Sequence, residues 1–272
     1  MTTMPVLDWG CGDAQVLRDA YATERAGILD QAAPGVAIQQ LDTITGTSLC
    51  FRAKKLDGTP ILYFHGGAWV AGSPQTHITL CSWLAYLSNR RVLSVPYGLC
   101  PEFKFPSQLH DGARALDDLL RTEDRCIVMG DSAGGAIAFW AESHAISRDR
   151  VAGVVSLYGA FGAIDTPSML ALTAQDDGLK RRDMEGMYDR LGCPMGRGML
   201  DAITPQGAPA LLVTAGADSL ADDHTILADH LDRPVQMIWA DDQPHAFLQF
   251  CGSNPAAKKT MADIAMALTA WD

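Results

Sequence analysis

Apolar and polar positions follow two rhythms along the chain. Short, nearly continuous apolar runs at residues 61–65, 92–97, 126–130, 151–158, 210–216 and 235–240 are aliphatic or β-branched and bounded by Gly, Pro or charge. Runs of that length predict strands buried on both faces, as in a mostly parallel sheet. Between them, residues 77–89, 109–121, 133–147, 222–231 and 258–271 carry apolar residues three and four apart, the spacing of helices that lay one face on a sheet. Upstream, residues 36–42 and 48–52 flank Thr45-Gly46 and predict an antiparallel edge hairpin. The alternation as a whole predicts an α/β fold with helices on both faces of a central sheet.

Two segments fit this alternation poorly. Residues 1 to about 34 form an amphipathic helical stretch ahead of the sheet. Residues 163–205 scatter Met169, Leu170, Met184, Met187, Met195 and Met199 among charges, between two strands that a short crossover would connect. An oversized insertion of this kind predicts a lid or binding element, and methionine suits an adaptable apolar lining. A single domain over 1–272 is expected, with 1–34 and 163–205 as cap elements.

Composition narrows the function. With 48% hydrophobic and 19% charged residues, the chain is rich enough in apolar side chains to build a core and is not a disordered or coiled-coil sequence. Twenty-one basic against 32 acidic residues give a net charge of −11, which repels phosphate backbones and anionic lipid, so neither nucleic acid nor a membrane is expected as partner. The first residues show no basic segment leading into an apolar one, and no apolar run reaches membrane-spanning length. Seven cysteines, odd in number and without a CxxC pair, predict neither a disulfide framework nor a zinc site and favour a reducing cytoplasm. Cys126, inside an apolar run, reads as a small core residue.

The chemistry concentrates in Cys126-Ile-Val-Met-Gly-Asp-Ser-Ala-Gly-Gly, where a buried strand passes through Gly-Asp-Ser132-Ala-Gly into a helix. A serine in such a turn has its hydroxyl pushed out above the sheet, and glycines two residues to either side relieve the crowding. Ser132 is the candidate nucleophile. It needs a base, and the base needs an orienting carboxylate. Of seven histidines, His245 follows the 235–240 strand at a carboxyl strand end, as the serine turn does. His77, His144, His224 and His230 fall in predicted helices as solvated or capping residues, His65 opens a glycine loop and His110 starts a helix. Asp218 follows the 210–216 strand directly, whereas Asp222 and Asp223 lie at a helix start, where an aspartate ordinarily caps or complements the dipole. The order Ser132, Asp218, His245 is the α/β-hydrolase order. His65-Gly66-Gly67-Ala68-Trp69 supplies amides that can converge on an oxyanion, and Ala133, next after the nucleophile, supplies another.

From about residue 60 to 250 the chain resembles the hormone-sensitive-lipase-like carboxylesterases of the α/β-hydrolase superfamily. The resemblance rests on His65 to Trp69, on Gly130 to Gly135, and on Tyr97-Gly-Leu-Cys-Pro-Glu-Phe-Lys-Phe-Pro106 followed by Asp111. It implies an α/β-hydrolase fold with a small helical cap, a triad of Ser132, Asp218 and His245, and an oxyanion hole of Gly66, Gly67 and Ala133. It implies hydrolysis of small, short-acyl esters through an acyl-enzyme, with no metal or organic cofactor. The partners are a small-molecule ester and, at most, a second copy of the chain in a homodimer. Three positions depart from the family pattern: Ala68 stands for the third loop glycine, Gly98 for an arginine and Ser219 for a proline. Two other readings use the same residues: an amide or formamide hydrolase of the arylformamidase type, and a catalytically silent small-molecule receptor on a hydrolase fold.

Overall fold

The computed structural model describes residues 8–163, 165–172, 179–193 and 197–272. The strands are β1 (Ala37–Thr43), β2 (Gly46–Arg52), β3 (Ile61–Phe64), β4 (Val92–Val95), β5 (Cys126–Asp131), β6 (Val151–Leu157), β7 (Ala210–Ala217) and β8 (Val235–Pro244). They form one sheet in the order β1-β2-β4-β3-β5-β6-β7-β8. β1 pairs antiparallel with β2 and β2 with β4, and every later pairing is parallel. The edge hairpin forms, but its two-residue turn is Ile44-Thr45, and Gly46 opens β2 with a φ of +123°.

The period of two in the inner strands divides the core. Leu62, Phe64, Val128, Val154 and Leu212 face one cluster; Ile61, Tyr63, Ile127, Val155 and Leu211 face the other. The first cluster is covered by α3 (Ser107–Leu119), α4 (Ala133–His144) and α8 (Ala221–His230), through Leu116, Ile137, Trp140 and Leu227. The second is covered by α2 (Ile78–Ser88) and α9 (Pro255–Ala267), through Leu80, Leu84, Met261 and Ile264. Cys126 is fully buried in the first cluster, and burial pushes its thiol up to about 12.

The two segments outside the alternation both pack over the first cluster. Residues 8–34 contain α1 (Ala14–Ala26), capped by Asp13, whose carboxylate accepts from the Gln15 and Val16 amides. Leu17, Tyr21 and Arg25, four residues apart, form its buried stripe. The 163–205 stretch contains α5 (Pro167–Leu172), α6 (Arg181–Leu191) and α7 (Arg197–Leu200). Met169, Met184, Met187 and Met199 are buried, Leu170 is 57% exposed, and Met195 lies outside the described residues. Among the described residues, no helix is long and apolar enough to cross a membrane.

Candidate active site

β5 enters α4 through a turn so tight that Ser132 takes φ +52° and ψ −121°. For a residue with a Cβ such backbone costs of order 1–3 kcal/mol and persists only where its surroundings enforce it. A Cβ on Gly130 would strike the Gly134 carbonyl, and one on Gly134 the Phe64 carbonyl. The Ser132 amide donates to Leu157 O at 2.9 Å, which anchors the turn on β6.

β7 and β8 deliver the other two side chains. Their ladder shifts register between Ala215 and Ala217, after which Ala217 pairs with Pro244. The next residues, Asp218 and His245, therefore leave the sheet side by side. His245 Nδ1 donates to Asp218 Oδ2 at 2.6 Å, and the Ser132 hydroxyl donates to His245 Nε2 at 2.9 Å. Burial alone would depress the imidazole, but Asp218 outweighs it and raises His245 above its ordinary 6.5. The expected loop from residue 241 is instead the end of β8, which bulges at residues 241–243, where Asp241 and Asp242 are exposed, before Pro244 pairs with Ala217.

Asp222 and Asp223 are directed elsewhere. Asp222 Oδ2 accepts from the Ser168 amide at 2.8 Å, and buried Asp223 Oδ2 from the Phe161 amide at 2.5 Å, so both tie α8 to the segment entering α5. Burial pushes the Asp223 carboxyl up to about 8.

The glycine loop differs from expectation at one residue. The amides of Gly67 and Ala133 carry no hydrogen bond among the described residues, but the Gly66 amide already donates to Asp131 Oδ1 at 2.9 Å. Gly66 is therefore occupied by a buried carboxylate that needs donors, and the open amide beside Gly67 is that of Ala68. Ala68 and Trp69 have φ of +52° and +57°, left-handed backbone that glycine would adopt more cheaply.

Beneath this loop lies a polar cluster that sequence pattern did not single out. Asp131 accepts from Tyr63 OH at 2.7 Å, from Gly66 N, from Gln249 Nε2 at 3.3 Å and from His77 Nε2 at 3.2 Å. Burial would raise the Asp131 carboxyl, but His77, Tyr63 and the Gly66 amide outweigh it and hold it at about 2. His77 is fully buried, not solvated or capping, and so is His224, which accepts from Ser156 Oγ and the Gly159 amide. His65 stacks on Tyr97 at 4.3 Å, and the Tyr97 hydroxyl donates to His65 O at 2.8 Å. Burial pushes His65 down to about 3, which leaves it neutral. The Tyr97-to-Pro106 segment is fastened to α1 by Arg18, which donates to Cys100 O and to both Glu102 oxygens.

Ser132 and His245 open into a cavity of about 190 Å³, walled by Trp9, Trp69, Leu179, Met184, Met187 and Leu220. Among the described residues no group of three or more His, Cys, Asp or Glu is placed to hold a metal ion.

Solved structures share this architecture. A double mutant of the esterase E40 superposes with a TM-score of 0.86 at 25% identity, over 96% of this chain and 92% of that one. The hormone-sensitive-lipase homologue EstE7, from a metagenome library, gives 0.80 at 25% identity, over 94% and 96%. An esterase of Pyrobaculum calidifontis gives 0.79 at 24% identity, over 96% and 94%. Residues 61–249, from β3 through the segment after His245, match the family model described as the alpha/beta hydrolase fold, and the chain belongs to that family.

Proposed function

We propose that the protein is a serine carboxylesterase for small, short-acyl esters, working through an acyl-enzyme intermediate. The observation that carries this reading is the unbroken hydrogen-bonded chain from Ser132 through His245 to Asp218 at the floor of an apolar cavity. Ser132 Oγ attacks the ester carbonyl while His245 Nε2 takes its proton, and Asp218 holds the imidazole in the matching tautomer. The amides of Gly67, Ala68 and Ala133 receive the oxyanion. Collapse of the tetrahedral intermediate expels the alcohol, protonated by His245, and water then releases the acid by the same steps in reverse order of roles. None of these steps draws on a metal or organic cofactor.

Residues 8–34 and 163–205 act as cap elements of a single domain, since α1 and α6 contribute Tyr21, Met184 and Met187 to the cavity wall. The names of the similar structures support an ester as substrate. The scattered cysteines support a cytoplasmic setting. The wall formed by Trp69, Met184 and Met187 supports short acyl chains. A series of p-nitrophenyl esters tests this: each methylene finding apolar contact adds about 0.8 kcal/mol, nearly fourfold in kcat/KM, until the wall is met. The optimum is expected at or below about six carbons. Rates still rising at ten or twelve carbons contradict the short-acyl reading, and absence of ester turnover contradicts the function.

A further inference from the structure

The same cavity holds a cation that the esterase steps do not use. Arg25, in the last turn of α1, lines the cavity, yet its side chain is only 7% exposed. Among the described residues, its Nε and Nη1 carry no hydrogen bond. The guanidinium lies 4.8 Å from the ring of Tyr21, whose hydroxyl also interacts with it, and 5.7 Å from that of Phe250, contacts that leave Nε and Nη1 unpaired. The nearby carboxylates do not supply the missing acceptor. Glu24 Oε1 stands 3.7 Å from Nη1, beyond hydrogen-bond reach, and Asp131 is committed to Tyr63, Gly66, His77 and Gln249.

We propose that Arg25 sets the substrate class of this cavity: the ester carries a free carboxylate, which docks on the Arg25 guanidinium while Ser132 attacks the ester carbonyl. The inference rests on the serine-esterase reading of the same site. A planar guanidinium fork matches a carboxylate through two parallel N–H bonds. Among the described cavity residues, one cation beside Glu24 and Asp131, in a protein of net charge −11, suits a monoanion better than a dianion such as phosphate. Arg25 and Ser132 line one cavity of about 190 Å³, so carboxylate and ester carbonyl belong to one small substrate. Hydrolysis then converts a half-ester to a diacid and an alcohol, or an acylated hydroxy acid to its two acids, with water as the sole co-reactant.

Two isosteric pairs test the proposal by proton release in a pH-stat. Ethyl hydrogen succinate is compared with ethyl 4-methylpentanoate, which places the charge on the acyl arm. Then 3-acetoxypropanoate is compared with 3-methylbutyl acetate, which places it on the alcohol arm. The wild-type enzyme should favour the anion in at least one pair by tenfold or more in kcat/KM, against the repulsion of an acidic protein. Arg25→Met, which keeps an unbranched stem between Tyr21 and Phe250, should lower that ratio at least tenfold, and Arg25→Lys should retain part of it. A merely structural role would lower both members of a pair together and leave the ratio unchanged, which overturns the proposal. So does a wild-type preference for the neutral ester in both pairs, a result that needs no variant to fold. If the neutral esters are turned over without anionic preference, only this inference fails; if no ester is turned over, the esterase reading fails with it.

Discussion

Two histidine–aspartate pairs flank the nucleophile turn, and the same two residue types are put to different uses. His245 meets Asp218 at 2.6 Å, and its side chain keeps 19% exposure, with Nε2 turned to Ser132 in the cavity. His77 meets Asp131 at 3.2 Å with no exposure at all, and Asp131 shares its oxygens with Tyr63, Gln249 and the Gly66 amide. The first pair has one imidazole nitrogen free to move a proton to a hydroxyl that substrate can reach. The second fixes the backbone of the loop whose next two amides are open. A pair's chemistry therefore follows from its third partner and its access, not from its residue types.

The largest effect expected on breaking the first pair's chain is at its far end. Ser132→Ala should cost roughly a millionfold in kcat while the melting temperature holds, because only an oxygen is removed; activity above a few per cent in a short-ester assay would break the assignment. Next, Asp218→Asn should cost about 10⁴-fold by permitting the wrong imidazole tautomer. Asp222→Asn and Asp223→Asn should change kcat little, since those carboxylates face the Ser168 and Phe161 amides.

The second pair should respond in the opposite sense. His77→Leu removes one of the four donors on the buried Asp131 carboxylate, which costs about 1.5–3 kcal/mol of stability. Its effect on kcat should stay within about a hundredfold, less than the loss of a whole oxyanion donor at the upper end of its range. Calorimetry beside kinetics separates the two pairs: a His77 variant with normal stability and Asp218-like kinetics would erase the distinction drawn here.

Acidity sharpens the contrast further. The base must be neutral, and Asp218 holds His245 above 6.5, so kcat/KM should rise with pH through a midpoint above that value; a midpoint below 6.5 would contradict the ion-pair account. Asp131 is lowered from 3.8 to about 2. Its contribution to stability is therefore full above about 3.8 and lost as pH falls toward 2, outside the window of the catalytic limb. The smallest effect belongs to the loop itself. Ala68→Gly relieves left-handed strain of about 1 kcal/mol, partly offset by backbone entropy, so the melting temperature should rise by no more than about 2–4 °C.

Much of this was legible in the sequence because the inner strands are buried on both faces and read as unbroken apolar runs, from Ile61 to Phe64 and from Cys126 to Gly130. The juxtaposition of Ser132, Asp218 and His245 was legible because each directly follows such a strand or its continuation. The end of β8 was not, since Asp241 and Asp242 resemble a loop and form a bulge before the strand resumes its pairing at Pro244. Nor was the role of the Gly66 amide, which depends on Asp131 turning its carboxylate back under the loop. Arg25 was not singled out, although its spacing from Leu17 and Tyr21 places it on the buried stripe of α1. The expectation for Met195 falls outside the described residues.

The central claim is that one serine, activated by His245, performs covalent chemistry in this cavity. Labelling the wild-type protein with a fluorophosphonate and mapping the adduct by peptide mass spectrometry tests it most directly. The account predicts stoichiometric modification of Ser132, abolished in His245→Ala; an adduct on another serine, or labelling of Ser132 that does not need His245, would contradict it.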